Sequence, residues 1–132
     1  ALDWLMTMSL QKMYERFSNL RIVSVENGSS FLPDLFRKLP QQKNKLMGWF
    51  KEDPLELFKE HVWINPFWED DPYEVADLMG PDRVVFGSDW PHIEGMPAPL
   101  DYVMELKEFS IDDQKKILLD NVSAINDPRP LR

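Results

Sequence analysis

The sequence predicts an α/β fold in which short parallel strands alternate with helices. Three short apolar segments have the length and the flanking turn residues of buried strands, and amphipathic segments lie before, between and after them. This alternation predicts right-handed βαβ units and a parallel sheet. Three parallel strands alone leave two bare sheet edges, which native proteins normally cover. A closed (β/α)₈ barrel needs about 250 residues, so we expect this chain of 132 residues to supply part of a larger structure.

The first part of the chain predicts a helix, a strand and a second helix. Residues 2–20 predict an amphipathic helix, because apolar side chains recur at helical spacing: Leu2, Leu5, Met6, Met13, Phe17 and Leu20. Residues 20–26 are rich in β-branched side chains and predict a strand that ends at Glu26. A serine-capped helix follows, with an apolar face made of Leu32, Leu35, Phe36 and Leu39. The polar stretch 40–52 predicts a loop or an irregular helix.

Two aspartate–proline pairs predict helix starts on either side of the second strand. Asp53 and Asp71 are placed to cap a helix, and the proline after each fits the first turn, where a missing N–H costs nothing. Residues 61–67, between these starts, predict the strand. We expect His61 to be a surface residue at the end of that strand opposite the polar strand ends.

The last part of the chain predicts a third strand and two further helices. The helix that starts at Asp71 stops at Gly80-Pro81, the strand covers residues 83–88, and a proline-rich loop follows. The apolar faces of the two helices are formed by Leu100, Val103, Met104 and Leu106, and by Ile117, Leu118, Val122 and Ile125. We interpret residues 1–126 as one structural unit and residues 127–132 as a tail.

Composition narrows the classes of function. The chain is 43% hydrophobic with five Trp and eight Phe, which is enough for a packed core. Its net charge of −8, without a basic stripe, disfavours binding to nucleic acid or to an anionic membrane surface. The absence of cysteine excludes disulfides and thiolate metal sites and fits a reducing, cytoplasmic location. No apolar run approaches the roughly 20 residues that span a bilayer.

Polar side chains follow each predicted strand, at the sheet edge where α/β proteins carry their chemistry. Glu26 ends the first strand, Asn65 ends the second, and Asp89 and His92 follow the third. Carboxylate oxygens and an imidazole nitrogen are suitable ligands for Zn²⁺ and other divalent ions. A strand-end aspartate is more often a turn former or a helix cap, and we interpret residues 69–71 as capping and solvation.

The segment 83–92, read with Glu94-Gly95 and with residues 117–122, resembles the end of amidohydrolase-related proteins. These are TIM-barrel metal-dependent hydrolases, a group that includes aminocarboxymuconate semialdehyde decarboxylase. Residues 21–33 resemble the sixth strand and following turn of that group, and residues 61–71 resemble the seventh strand. The resemblance therefore implies the last three βα units of a (β/α)₈ TIM barrel, incomplete as a single chain.

The resemblance also implies roles for individual residues. Asp89 matches the strand-eight aspartate that binds or approaches the metal and shuttles the proton of the activated water. Further site-lining residues would be Glu26, Asn65, Trp90 and His92. The implied cofactor is a divalent metal ion, zinc first, in the full barrel, with none necessarily bound by this part alone. The histidines of the first and fifth strands have no counterpart here, and Glu26 stands where decarboxylase members carry histidine.

Three interpretations of function follow. The first is a C-terminal portion of a metal-dependent hydrolase that acts on C–N or C–O bonds of a small-molecule substrate, with a non-oxidative decarboxylase as the alternative chemistry. The second is a non-catalytic, shortened relative that acts as an assembly or partner-binding module. The third is a complete small α/β domain whose similarity is coincidental. We expect the isolated chain to be inactive and to self-associate or to pair with the missing barrel portion.

Overall fold

The computed structural model describes residues 1–127, so all but the first residue of the predicted tail lies outside the described residues. Seven α-helices and two strands have regular geometry in this described part of the chain, with short 3₁₀ and π turns between them. In chain order they are α1 (Leu2–Leu10), α2 (Met13–Arg16), β1 (Ile22–Ser24), α3 (Leu32–Lys45), α4 (Pro54–His61), β2 (Val62–Ile64), α5 (Pro72–Met79) and α6 (Ile111–Lys115). A π turn (Lys116–Asp120) leads from α6 into α7 (Asn121–Asn126).

The sheet is parallel, as predicted, but the described residues contain two strands rather than three. β1 pairs with β2 in a register that places Ile22 opposite Val62. The predicted third strand, 83–88, makes a single parallel bridge between Val84 and Ile64. Its ladder stops because the next donor on the β2 side would be Pro66, which has no backbone N–H. The Asn65 side chain reaches the Val85 carbonyl instead, at 3.4 Å.

Both predicted helix starts are confirmed. The Asp53 carboxylate accepts the N–H groups of Leu55 and Glu56 at 2.9 and 3.4 Å, and Pro54 occupies the first turn of α4. Asp71 accepts the N–H of Tyr73 at 2.8 Å at the start of α5. These side chains satisfy donors that have no partner within the helix. The two caps therefore fix the residues at which α4 and α5 begin.

Other helix boundaries differ from the predictions. The opening helix breaks at Lys12, whose φ is 59°, and α2 continues in a new direction. α3 runs through Pro40 to Lys45, so the first part of the stretch 40–52, predicted as a loop or an irregular helix, is helical. The predicted helix over 100–106 is a 3₁₀ segment, Pro99–Met104, in which Leu100 remains 90% exposed. None of the helices in the described part of the chain is long and apolar enough to cross a membrane.

The core lies between the sheet and the helices α1, α3, α4 and α5, which pack around it. His61 belongs to this core, so its prediction as a surface residue is wrong. Its Nδ1 lies 2.6 Å from the Leu20 carbonyl oxygen, and its ring stacks on Tyr14 at 5.2 Å. Burial raises the pKa of Tyr14 to about 12. The fully buried apolar side chains include Leu5, Leu32, Leu35, Leu39, Phe58, Val62, Ile64, Val75, Leu106 and Ile117.

Candidate active site

A cavity of about 350 Å³ opens beyond the carboxyl ends of β1, β2 and the segment 84–88. This is the sheet edge at which the polar strand ends were predicted to meet. Its lining combines acidic side chains with aromatic and small ones: Glu26, Pro66, Phe67, Trp68, Glu69, Asp70, Gly87, Ser88, Asp89 and Glu94. The cavity therefore brings together residues that lie more than sixty positions apart in the chain.

Asp89 is held in place by a folded-back loop. The Met96 N–H donates to the Ser88 carbonyl at 2.8 Å, and the His92 N–H donates to the Asp89 carbonyl at 2.9 Å. A Cβ atom on Gly95 would lie 2.5 Å from the Asp89 carbonyl oxygen, so only glycine fits there. Asp89 itself has a φ of 55°, a left-handed conformation that aspartate tolerates better than most residues.

Asp89, His92 and Glu94 form a compact group on this loop. The Asp89 Oδ1 and His92 Nδ1 atoms are 2.9 Å apart, and the side chains of Asp89 and His92 are 19% and 67% exposed. One ligand atom from each of the three residues lies within 4.8 Å of the other two. Ions such as Zn²⁺ bind oxygen and nitrogen ligands at about 2.0–2.2 Å. The donor set therefore fits a divalent ion after small rotations of the exposed His92 and Glu94 side chains.

Glu26 is distant from this loop in sequence, yet it lines the same cavity as Asp89. It follows β1, as Asp89 follows the segment 84–88. Its φ is 57°, again left-handed. Non-glycine residues with such backbones cluster at functional sites, because the surrounding structure must hold them there. Two of the predicted site residues thus share both the cavity and an unusual backbone.

Asn65 and Trp90 are placed differently from these carboxylates. Asn65 is buried, and its Nδ2 donates to the Pro66 carbonyl at 3.1 Å. A Cβ atom on Gly87 would lie 2.9 Å from the Asn65 Oδ1, so the amide packs tightly under the cavity floor. The Trp90 side chain is 66% exposed. Neither Asn65 nor Trp90 lines the cavity.

Eight of the ten lining residues were not among the predicted site residues, and Phe67, Trp68 and Glu94 are three of them. Glu94 joins Asp89 only because the loop folds back. Phe67 was predicted as the last residue of the second strand and Trp68 as the residue after it, whereas β2 ends at Ile64 and leaves both in the loop that lines the cavity. The Trp68 indole N–H donates to the Glu94 carbonyl at 3.0 Å, which ties the two loops together.

The carboxylate of Asp70 has a structural task. Its Oδ2 accepts the N–H of Ser29 at 2.8 Å and the N–H of Phe67 at 3.0 Å. The loops after β1 and β2 are therefore joined through one side chain. The interpretation of residues 69–71 as capping and solvation agrees with this geometry for Asp70 and Asp71.

Comparison with known proteins gives one family. The sequence model of a family described as amidohydrolase matches residues 1–122. The structure of an amidohydrolase from Mycobacterium avium subsp. paratuberculosis K-10 superposes with a TM-score of 0.88 at 40% identity, over 92% of this chain and 32% of that one. Curated proteins give no match.

A second solved structure shows a likeness in fold. It is the 5-carboxyvanillate decarboxylase of Sphingomonas paucimobilis, with a TM-score of 0.67 at 20% identity, over 91% of this chain and 37% of that one. The chain thus spans about a third of the length of each structure, by the 32% and 37% coverages. Together, the strand-end cavity, its acidic residues and the match over residues 1–122 establish that this chain belongs to the amidohydrolase family.

Proposed function

We propose that residues 1–126 are the C-terminal portion of the (β/α)₈ barrel of a metal-dependent hydrolase, with Asp89 as metal ligand and general base. The observation that carries the proposal is the Asp89, His92 and Glu94 group, of which Asp89 and Glu94 line the cavity. The partial coverage of the solved relatives, 32% and 37%, supports an incomplete barrel. The lack of cysteine supports a reducing, cytoplasmic setting.

In this proposal, the residues at the cavity would bind the ion, accept a proton and exclude water. A divalent ion, zinc first, would supply Lewis acidity that brings the pKa of a water toward 7. Asp89 would take the proton of that water on a carboxylate oxygen. His92 Nδ1, 2.9 Å from Asp89 Oδ1, would orient the carboxylate. The aromatic side chains of Phe67 and Trp68 would exclude bulk water from one side of a small-molecule substrate.

The alternative chemistry is non-oxidative decarboxylation. It is supported by the fold likeness to 5-carboxyvanillate decarboxylase. Two features of this chain favour hydrolysis over it. Glu26 takes the place at which decarboxylase members of the family carry histidine, and no basic side chain lines the described cavity to receive a substrate carboxylate.

The partner implied by this proposal is the remaining barrel portion. Among the described residues, β1 has a paired neighbour on one side only, because the sheet order is β1–β2. A free strand edge is a template for a further strand. The family resemblance implies further metal ligands in the histidines of the first and fifth strands, and those histidines have no counterpart in this chain. We therefore expect little or no turnover by the chain alone.

Reconstitution tests the proposal. The chain would be co-expressed with the part of the Mycobacterium avium amidohydrolase that has no counterpart here, and the zinc content of the purified complex measured. We expect a complex that binds zinc and hydrolyses esters or amides, with both properties reduced at least about tenfold in Asp89→Asn. Asp77→Asn, on the exposed side of α5, is the matched control. Zinc content that is unchanged in Asp89→Asn would contradict the assigned role.

A non-catalytic assembly module is the second candidate function. It is favoured by large apolar side chains that remain exposed near the cavity loop, such as Trp90 at 66% and Ile93 at 102%. Light scattering on the isolated chain separates the two. Stable self-association without zinc binding would favour the module, and a monomer that joins the barrel portion would favour the enzyme. Zinc-dependent turnover by the isolated chain would contradict the expected inactivity.

A further inference from the structure

The fraction of acidic residues is higher in the lining of the cavity than in the chain as a whole. Five of its ten lining residues are carboxylates, whereas the whole chain has 23 acidic residues among 132. No lysine or arginine of the described part of the chain lines it. A divalent ion at Asp89, His92 and Glu94 would offset two of the five charges and leave three. The cavity wall therefore stays anionic whether or not an ion is bound.

Several basic side chains are held by partners elsewhere. Arg21 donates to the carbonyls of Ala124 and Ile125 at 2.7 and 2.6 Å, at the far C-terminal helix. Arg83 donates to the Lys59 carbonyl at 2.6 Å and lies over the Trp63 ring at 4.6 Å. These contacts hold the two guanidinium groups nearest in sequence to β1 and to the segment 84–88. Neither can turn to the cavity without losing them.

The aromatic side of the cavity is preorganised. A Cβ atom on Gly28 would lie 2.8 Å from the Phe67 ring, so this ring lies directly over the glycine backbone. The backbone of Phe67 is held by Asp70 at 3.0 Å, and the Trp68 indole by the Glu94 carbonyl at 3.0 Å. Fixed rings bind a flat group without the entropy cost of ordering side chains. Ring faces also attract cations, and a cleft lined by carboxylates raises the local concentration of cations.

We propose that this wall of the cavity binds a flat apolar group that carries a positive charge, such as an arylmethyl ammonium ion, and disfavours carboxylate substrates. The proposal rests on the proposed function, because it assigns the substrate class of the same cavity. Phe67 and Trp68 contact the flat part, and Glu26 and Glu69 attract the ammonium group. A carboxylate in the same position would face like charges without a basic partner.

Three probes of equal size test the substrate class on the purified chain in EDTA at pH 7: benzylammonium, benzyl alcohol and benzoate. The reporter is the indole N–H resonance of Trp68, assigned by its loss in Trp68→Phe. We expect affinity to fall in the order cation, alcohol, anion, with about tenfold between the first and the last. The difference is expected to shrink in 0.5 M salt, because screening weakens attraction between exposed charges.

Charge variants identify the source of the selectivity. In Glu26→Gln/Glu69→Gln, benzylammonium binding is expected to weaken about fivefold, with benzyl alcohol unchanged. Glu60→Gln, an exposed carboxylate in the last turn of α4 near the other end of the sheet, should leave all three affinities unchanged. Benzoate binding as tight as that of benzylammonium, or no probe shifting the Trp68 resonance, would overturn the proposal. Because no metal is used here, that failure is separate from a failure of zinc binding in the reconstituted barrel.

Discussion

Two aspartates line the same cavity and differ in almost every contact. Asp70 follows β2, and its Oδ2 accepts two backbone N–H groups at 2.8 and 3.0 Å. Asp89 follows the segment 84–88, and within the described residues its carboxylate contacts the His92 imidazole, with 2.9 Å between Oδ1 and Nδ1. Both were visible in the sequence as acidic residues just beyond a predicted strand. Their position relative to a strand therefore does not separate their roles.

The difference lies in which donors each carboxylate satisfies. An N–H left without an acceptor in a partly buried loop costs free energy, so Asp70 contributes to stability. Asp89 retains a carboxylate oxygen without a protein donor among the described residues, and that oxygen is free for an ion or a water. The two hydrogen bonds from backbone N–H groups thus mark Asp70 as a structural carboxylate, whereas Asp89 has an oxygen available for the ion that we propose.

Asp70→Ala is expected to have the largest effect on stability. The substitution removes the acceptor shared by Ser29 and Phe67, so the free energy of unfolding should fall by about 2–3 kcal/mol. Urea denaturation measures the change. Asp70→Asn is the matched control, because its amide oxygen can still accept both N–H groups and should restore most of the loss. A loss below about 1 kcal/mol in Asp70→Ala would contradict the structural role.

Asp89→Asn is expected to show the reverse pattern. Asparagine tolerates the left-handed backbone at φ 55°, so the free energy of unfolding without metal should change by less than about 0.5 kcal/mol. Zinc should raise the midpoint of urea unfolding in the reconstituted complex and in its Asp77→Asn variant, because a ligand that binds only the folded state stabilises it. In Asp89→Asn this zinc-dependent shift should be lost. If the shift survives there, the ion binds elsewhere.

Local signals in the sequence predicted the parts of the fold that depend on neighbours in the chain. The caps at Asp53 and Asp71 depend on N–H groups two or three residues away, and both were predicted correctly. The third strand was predicted from its apolar residues. It pairs at a single bridge because Pro66, on the neighbouring segment, lacks a donor. That outcome depends on a partner distant in sequence.

Contacts with residues distant in sequence also decide the positions of single side chains, which local signals could not predict. His61 is buried by Tyr14 and by the Leu20 carbonyl, which lies 41 residues earlier. Glu94 reaches the group around Asp89 through the bond between Met96 and Ser88, which depends on the loop conformation. The composition near Asp89 indicated a site, and the family resemblance indicated a metal. Glu94, as a third candidate ligand, could be identified only from the fold.

A third aspartate, Asp53, accepts hydrogen bonds from the first turn of α4 and from a lysine side chain. Burial raises the pKa of its carboxyl, but hydrogen bonds from Lys43 and from the N–H groups of Leu55 and Glu56 outweigh this, so its pKa lies below the ordinary value of 3.8. Asp53→Ala removes the cap of α4 and should lower the free energy of unfolding at pH 7 by about 1 kcal/mol. This loss is smaller than the one expected for Asp70→Ala.

The pH dependence of that loss distinguishes the charged cap from simple packing. A carboxyl whose pKa is lower in the folded state stabilises the fold fully above its unfolded pKa, and this contribution declines as the pH falls through the folded value. The difference between the unchanged chain and Asp53→Ala should therefore be constant from pH 7 to about pH 5 and shrink below about pH 4. Asp53→Asn, which can still cap, should retain more stability than alanine at pH 7 and show no such decline. Urea unfolding of the three proteins at each pH measures these differences in the free energy of unfolding. If the loss in Asp53→Ala stays constant down to pH 3, the effect of Asp53 comes from its shape rather than from its charge.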